Sequence, residues 1–396
     1  MLLSIAYILM MGMFTGWLCQ KWKLPSLLGM MITGMILGPY LLNVIAVSIL
    51  QISSDLRRIA LIIILIRAGL SLDLNDLKRV GRPAVLMCFV PACLEMLGMV
   101  LLAPKLLGIS MLDAAIMGAV VAAVSPAVIV PKMLKLIDEG YGVDKSIPQL
   151  ILAGASVDDV FVIVMFSAFT GLAQGDSISI ISFLNIPISI IIGGLIGYFI
   201  GNILARYFEK IHIRDTSKVV ILLSIAFLLV TFEDHFSNIP FAALISIMTM
   251  GIALQRKREV VAVRLSSKFN KLWVVAEILL FVLVGASVDL HYVQSAGLMA
   301  VILIFGVLIF RMIGVSICLI KTKLTKKERL FCMIGYCPKA TVQAAIGGVP
   351  LAMGLSVGNI VLTVAVLSIL ITAPLGAFLI DHTYRRLLQP SIKKGL

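Results

Sequence analysis

Polar surface is what this 396-residue chain has least of. Charged residues make up 13% and apolar residues 61%, against roughly 25% and 45–50% in soluble domains. That excludes an ordinary water-soluble globule. Four histidines (His212, His235, His291, His382) are scattered near the ends of apolar runs, so a metal cluster is not expected. Six cysteines (Cys19, Cys88, Cys93, Cys318, Cys332, Cys337) all fall within apolar runs and match no zinc spacing, which argues against a disulfide framework. No ATP-binding motif is present, so work driven directly by ATP is not expected. The first twenty residues lack a basic leader and a small-residue cleavage site, and read as a spanning helix rather than a removable signal peptide.

What is present is a series of long apolar runs, the mark of an all-α polytopic membrane protein. Hydropathy and helix breakers predict about thirteen spans. They cover 2–19, 25–47, 57–72, 83–102, 110–133, 147–172, 180–207, 219–231, 239–254, 272–288, 296–320, 328–353 and 359–383. No stretch between them is long enough for a soluble domain. The net charge of +13 is explained by topology and not by nucleic acid. About 27 basic residues fall on one side of this arrangement and 3 (Arg57, Arg58, Lys105) on the other, a strong positive-inside bias. The N-terminus is therefore expected outside and the C-terminus in the cytoplasm, in what would be a bacterial inner membrane.

An internal repeat appears at an offset of about 216 residues. Gly69-Leu70-Ser71-Leu72-Asp73-Leu74 recurs as Gly285-Ala286-Ser287-Val288-Asp289-Leu290, Leu24-Pro25 as Ile239-Pro240, and Glu95 falls on Arg311. A shift of seven spans reverses direction through the membrane, so this is an inverted-topology repeat of six helices each, as in secondary transporters. The expected division is 1–179 for the first repeat, 180–218 for a linking helix, 219–384 for the second repeat and 385–396 for a cytoplasmic tail.

Chemistry concentrates in three places. Asp158 and Asp159 sit side by side in Gly154-Ala155-Ser156-Val157-Asp158-Asp159-Val160, near the middle of an apolar run. One aspartate at that depth costs about 2.5–3.5 kcal/mol on insertion scales. Carboxylates withdrawn from water can hold either a proton or a small hard cation such as Na⁺, and one site that holds either couples the two fluxes. Ser156 and Ser125 are additional candidate ligands, although membrane serines often bond only to the preceding turn. Ala122-Ala123-Val124-Ser125-Pro126 and Tyr336-Cys337-Pro338-Lys339-Ala340-Thr341 place Pro126 and Pro338 at nearly repeat-related positions, where each should break its helix. Lys339 and Thr341 flank the second break, and Lys339 either pairs with Asp158 or stabilises the breakpoint. Glu95 and Arg311 are expected to form a structural ion pair.

Blander readings suit other charges. Arg67 can snorkel or pair with Asp73, Asp113 suits a helix N-terminus, and Glu277 fits an edge salt bridge near Lys271. Trp17, Trp22 and Trp273 fit interfacial anchors.

These motifs resemble the monovalent cation/proton antiporter superfamily. Val124-Ser125-Pro126-Ala127-Val128 is similar to its first broken helix and Ala155-Ser156-Val157-Asp158-Asp159 to its ion-binding helix. Pro338-Lys339-Ala340-Thr341-Val342-Gln343-Ala344-Ala345 resembles its second broken helix, and specifically the sodium/proton antiporter (NHA-type) branch. The resemblance implies a sodium/proton antiporter fold with two crossed broken helices, a homodimer, and elevator-like alternating access. It implies that Asp159 is the main cation and proton site, with Asp158 accessory. The position matching Arg311 is lysine in many bacterial members, so this chain departs there. Expected cargo is Na⁺ or Li⁺ against H⁺, with no cofactor and with lipid as the surrounding partner. K⁺/H⁺ exchange on the same site and, more remotely, Na⁺-coupled symport of an organic anion are the alternatives. An intramembrane aspartyl protease would need aspartates on separate spans, and a passive channel would not need the repeat.

Overall fold

Each apolar run must satisfy its own backbone hydrogen bonds once water is excluded, and a helix does so within one segment. The computed structural model describes residues 1–71, 81–173, 180–211, 213–236 and 239–391, without the side chains of Ser156, Val160, 180–187 and 290–296. Among the described residues the protein is all-helical apart from an isolated antiparallel bridge between Tyr141 and Pro390. Nine of these helices are long and apolar enough to cross a membrane: Leu2–Lys21, Arg82–Leu107, Met111–Glu139, Ile147–Ala173, Ile188–Lys210, Asp215–His235, Glu259–Ala286, Gly297–Cys318 and Gly358–Leu387. Ser26–Leu37 and Thr341–Ala352 are shorter apolar helices, and Ser53–Ser71 and Ala243–Lys257 complete the set at the remaining predicted spans. Asp73, Lys78, Arg79 and His212 lie outside the described residues.

Both predicted breaks are present. One helix stops at Val121 and resumes at Pro126. The other stops at Gly335 and resumes at Thr341. Pro126 occupies the first position of its half-helix, where a missing N–H leaves nothing unpaired. Asp113 does stand in a first turn, its N–H donating to the Ser110 hydroxyl at 3.1 Å. Two other expectations fail. Trp273 is only 6% exposed, whereas Trp17 and Trp22 are 54% and 65% exposed, so Trp273 packs inside the protein. Glu277 lies far along the Glu259–Ala286 helix, and among the ion pairs of the described residues none joins it to Lys271.

The chain forms two compact units. The first comprises Met1–Ser54, Asn75–Phe169 and Phe281–Leu396. Its core gathers Ile129, Met133, Ile151, Phe331 and Tyr384 around the Ile147–Ala173 helix. The hairpin before that helix turns through Gly140 and Gly142, both at positive φ. The segment 389–391 lies along this hairpin: Gly142 N–H donates to Gln389 O at 2.9 Å and Ser391 N–H to Gly140 O at 2.6 Å. Tyr141 and Tyr384 meet edge to face, 5.1 Å apart, and the Tyr384 hydroxyl donates to Glu139 at 2.7 Å.

The first unit also packs the helices of Glu95 and Arg311 together at two glycines, Gly98 and Gly314. A Cβ on Gly98 would lie 2.7 Å from Phe310, and one on Gly314 2.7 Å from Pro91. Gly285 is equally constrained, since its Cβ would stand 2.1 Å from Met31 O.

The second unit comprises Asp55–Leu74 and Thr170–Leu280. Its Ile180–Lys210 helix packs on Ala243–Lys257 through Gly193, Gly197 and Gly201, where a Cβ would come within 2.4, 2.0 and 2.4 Å of the carbonyls of Ala242, Ser246 and Met250. This is a small-residue seam of the kind that lets membrane helices approach closely. Here Gly69 abuts Met248 O, at 2.3 Å from an added Cβ.

Candidate functional site

The two breaks meet. Ser125 N–H, at the end of the first unwound stretch, donates to Pro338 O in the second at 2.8 Å. Breaking a helix away from water strands carbonyls at the end of its first half and N–H groups at the start of its second. Arg311, wholly buried, takes up two of the carbonyls. Its Nε donates to Tyr336 O at 2.5 Å and its Nη1 to Ala122 O. The Tyr336 ring lies against the guanidinium, 5.0 Å from Cζ to centroid, and its hydroxyl donates to Met87 O at 3.0 Å. Gly154 is required one turn before Asp158, because a Cβ there would be 2.3 Å from the Tyr336 hydroxyl.

The same guanidinium anchors the acidic groups. Nη1 donates to Glu95 Oε2 at 2.7 Å and Nη2 to Asp158 Oδ2 at 3.0 Å. Asp158 Oδ2 also accepts the Val124 N–H at 2.8 Å. Lys339 Nζ donates to Glu95 Oε2 at 2.5 Å, while its own N–H donates to Thr372 Oγ1 at 2.9 Å. Thus Asp158 goes to Arg311 and Lys339 to Glu95, and no bond joins Lys339 to Asp158 among those of the described residues. Glu95, Asp158, Arg311 and Lys339 form one buried network of two negative and two positive groups. A planar fork with five donors suits Arg311 to this hub, where an ammonium could not reach four acceptors.

Asp159 stands outside that network. It is 8% exposed against 0% for Asp158, and among the described residues no basic side chain pairs with it. Its Oδ1 has no hydrogen-bond partner, and neither do Asp158 Oδ1, Ser125 Oγ, Thr341 Oγ1 and Gln343 Oε1, all buried. Unpartnered buried oxygens are rare because each costs free energy, and here several belong to the two breaks and the aspartate helix. Such a donor set, hydroxyl and carboxylate oxygen, suits a hard monovalent cation or a proton. The Ser156 side chain lies outside the described residues. Among those described, no three of His, Cys, Asp and Glu cluster as a metal site.

Sequence reasoning assigned no role to Gln343 or Thr372. Gln343 Nε2 donates to Val121 O at 3.0 Å and to Ala123 O at 2.7 Å. It lies within the second broken-helix motif, and a polar residue beside a break was the available signal. Thr372 had none, because a lone threonine in an apolar helix usually bonds its own preceding turn.

The model of the family described as "Sodium/hydrogen exchanger, transmembrane" matches residues 7–384. Human sodium/hydrogen exchanger 9B2 is 35% identical over 387 residues, covering 92% of this chain and 70% of that one. Human sodium/hydrogen exchanger 9B1 is 31% identical, covering 90% and 71%. Among solved structures, the sodium proton antiporter MjNhaP1 from Methanocaldococcus jannaschii superposes with a TM-score of 0.87 over 98% of this chain and 99% of that one. At 20% identity that likeness speaks for the fold. With nearly its whole length matched, the chain belongs to the sodium/hydrogen exchanger family of integral, multi-pass membrane transporters.

Proposed function

We propose that this protein exchanges Na⁺, or Li⁺, for H⁺ by alternating access, with Asp159 as the carrier carboxylate. The observation that carries the reading is the closed network of Glu95, Asp158, Arg311 and Lys339, which leaves Asp159 a buried carboxylate with no basic partner among the described residues. A proton or a cation on Asp159 supplies the missing positive charge, and the two exclude each other. The unpartnered oxygens of Asp158, Ser125 and Thr341 are the additional ligands, and Ser156 remains a candidate from its place in the helix. Pro126 and Pro338 keep the breaks open, and Arg311 and Lys339 compensate charge there. The curated relatives and the solved antiporter carry the same activity in their names.

The finer architecture belongs to the same proposal: thirteen crossings, two inverted six-helix repeats at 1–179 and 219–384, N-terminus outside, and a homodimer in which the site-bearing part moves as an elevator. Supporting the repeat, Glu95 and Arg311 are separated by 216 residues and touch, as image residues do only near the axis relating them. Gly98 and Gly314 keep the same separation at the same helix contact. The test is flux in proteoliposomes with an imposed pH gradient and Na⁺, Li⁺ or K⁺ outside. Na⁺ or Li⁺ should drive proton movement and Asp159→Asn should abolish it in a folded protein. Undiminished exchange in that variant sinks the proposal, and a response to K⁺ alone replaces the cargo.

A further inference from the structure

The last carbonyls of the helix ending at Val121 are out of water and need donors. Arg311 serves Ala122, and Gln343 serves its two neighbours, Val121 and Ala123. Gln343 is 0% exposed and stands in the short helix after the second break. Its carboxamide therefore bridges one broken helix to the other. The orientation is dictated by chemistry, since a flipped amide would set Oε1 against two carbonyl oxygens. Directly after Ala123 come the Val124 N–H that holds Asp158 and the unpartnered Ser125 hydroxyl. A shift of the unwound stretch would displace both.

We infer that Gln343 is a positioning residue for exchange. By holding the Val121 and Ala123 carbonyls it fixes the stretch that carries Ser125 and holds Asp158 through the Val124 N–H, and so sets cation affinity more than turnover. The inference rests on the exchange reading above. Glutamine is the residue type the position needs: a neutral group with two N–H donors. A glutamate there donates nothing when ionised and one bond when protonated, and a leucine donates nothing at any pH.

The test compares wild type, Gln343→Leu and Gln343→Glu in proteoliposomes, reading the KM for Na⁺ and the maximal rate from neutral to alkaline pH. Each variant is compared with wild type at the same pH, which cancels ordinary competition between H⁺ and Na⁺. Gln343→Leu should raise KM about tenfold at every pH, the scale of losing two hydrogen bonds, with the maximal rate within about twofold. Gln343→Glu should match it at alkaline pH and approach wild type as the pH falls. KM values within about twofold of wild type in both variants, or a fall in rate at unchanged KM, overturn the inference. Should Gln343→Leu fail to fold, a KM ratio for Gln343→Glu that does not change with pH overturns it. A wild type without cation-dependent exchange instead refutes the exchange reading itself.

Discussion

At the scale of single residues, one side chain organises the site. Arg311 donates to Glu95, Asp158, Ala122 O and Tyr336 O at once. Arg311→Lys keeps the charge but strands several buried acceptors, each costing about 1–3 kcal/mol. We expect a clear drop in the melting temperature of the detergent-solubilised protein together with loss of exchange; an unchanged melt would contradict the hub. Glu95→Gln should be similarly severe, because it takes the carboxylate from Lys339 and leaves Arg311 paired with Asp158 alone. Breaking such a buried pair costs about 3–5 kcal/mol. The aspartates, both breaks and the Glu95–Arg311 relation were legible in the sequence, since charge and proline are conspicuous in apolar runs. The partner of Lys339 was not. Its bond to Glu95 joins residues 244 apart and depends on how two helices cross, which spacing along one helix cannot encode.

At the scale of elements, the hairpin that leads into the aspartate helix is held from outside its own sequence. The bonds from Gly142 to Gln389 and from Ser391 to Gly140, with the Ser391 hydroxyl donating to Asp144 at 2.7 Å, fasten it to the segment 389–391. Deleting from Gln389 onward should therefore raise amide hydrogen exchange in 140–146 while leaving the 326–335 helix protected. Unchanged protection at the hairpin would show that the final residues do not hold it. The glycine seam makes a second prediction. Gly197→Leu must force the Ile180–Lys210 helix off the Ser246 carbonyl, 2.0 Å from where a Cβ would sit, and should lower stability by a few kcal/mol. A melt within about a degree of wild type would argue against that close approach. The seam was readable in principle from Gly193, Gly197 and Gly201 at every fourth position. It was missed because glycine is common in membrane helices. Helix positions themselves followed from hydropathy, because bilayer thickness constrains span length.

At the scale of the whole molecule, the compact units cut across the boundaries proposed for the repeats. Gly69 abuts Met248 within one unit, and Gly285 abuts Met31 within the other. Each unit is thus assembled from segments far apart in the chain, which no linear reading of boundaries could supply. Orientation is testable directly: a C-terminal fluorescent fusion should be active in the cytoplasm, and an alkaline phosphatase fusion there inactive. The reverse result would overturn the positive-inside assignment. The buried network has one further consequence. Because Glu95 and Asp158 are balanced by Arg311 and Lys339, the permanent charges around the site sum to zero. On the exchange proposed above, one Na⁺ or one H⁺ on Asp159 then neutralises the loaded carrier equally. Membrane voltage acts with about 2.3 kcal/mol per elementary charge per 100 mV only on a step that moves net charge, and neither half of a one-for-one cycle does. Exchange rates in voltage-clamped vesicles should be the same at either polarity. A rate that follows voltage would mean that Lys339 gives up its proton during the cycle and that the site does not travel neutral.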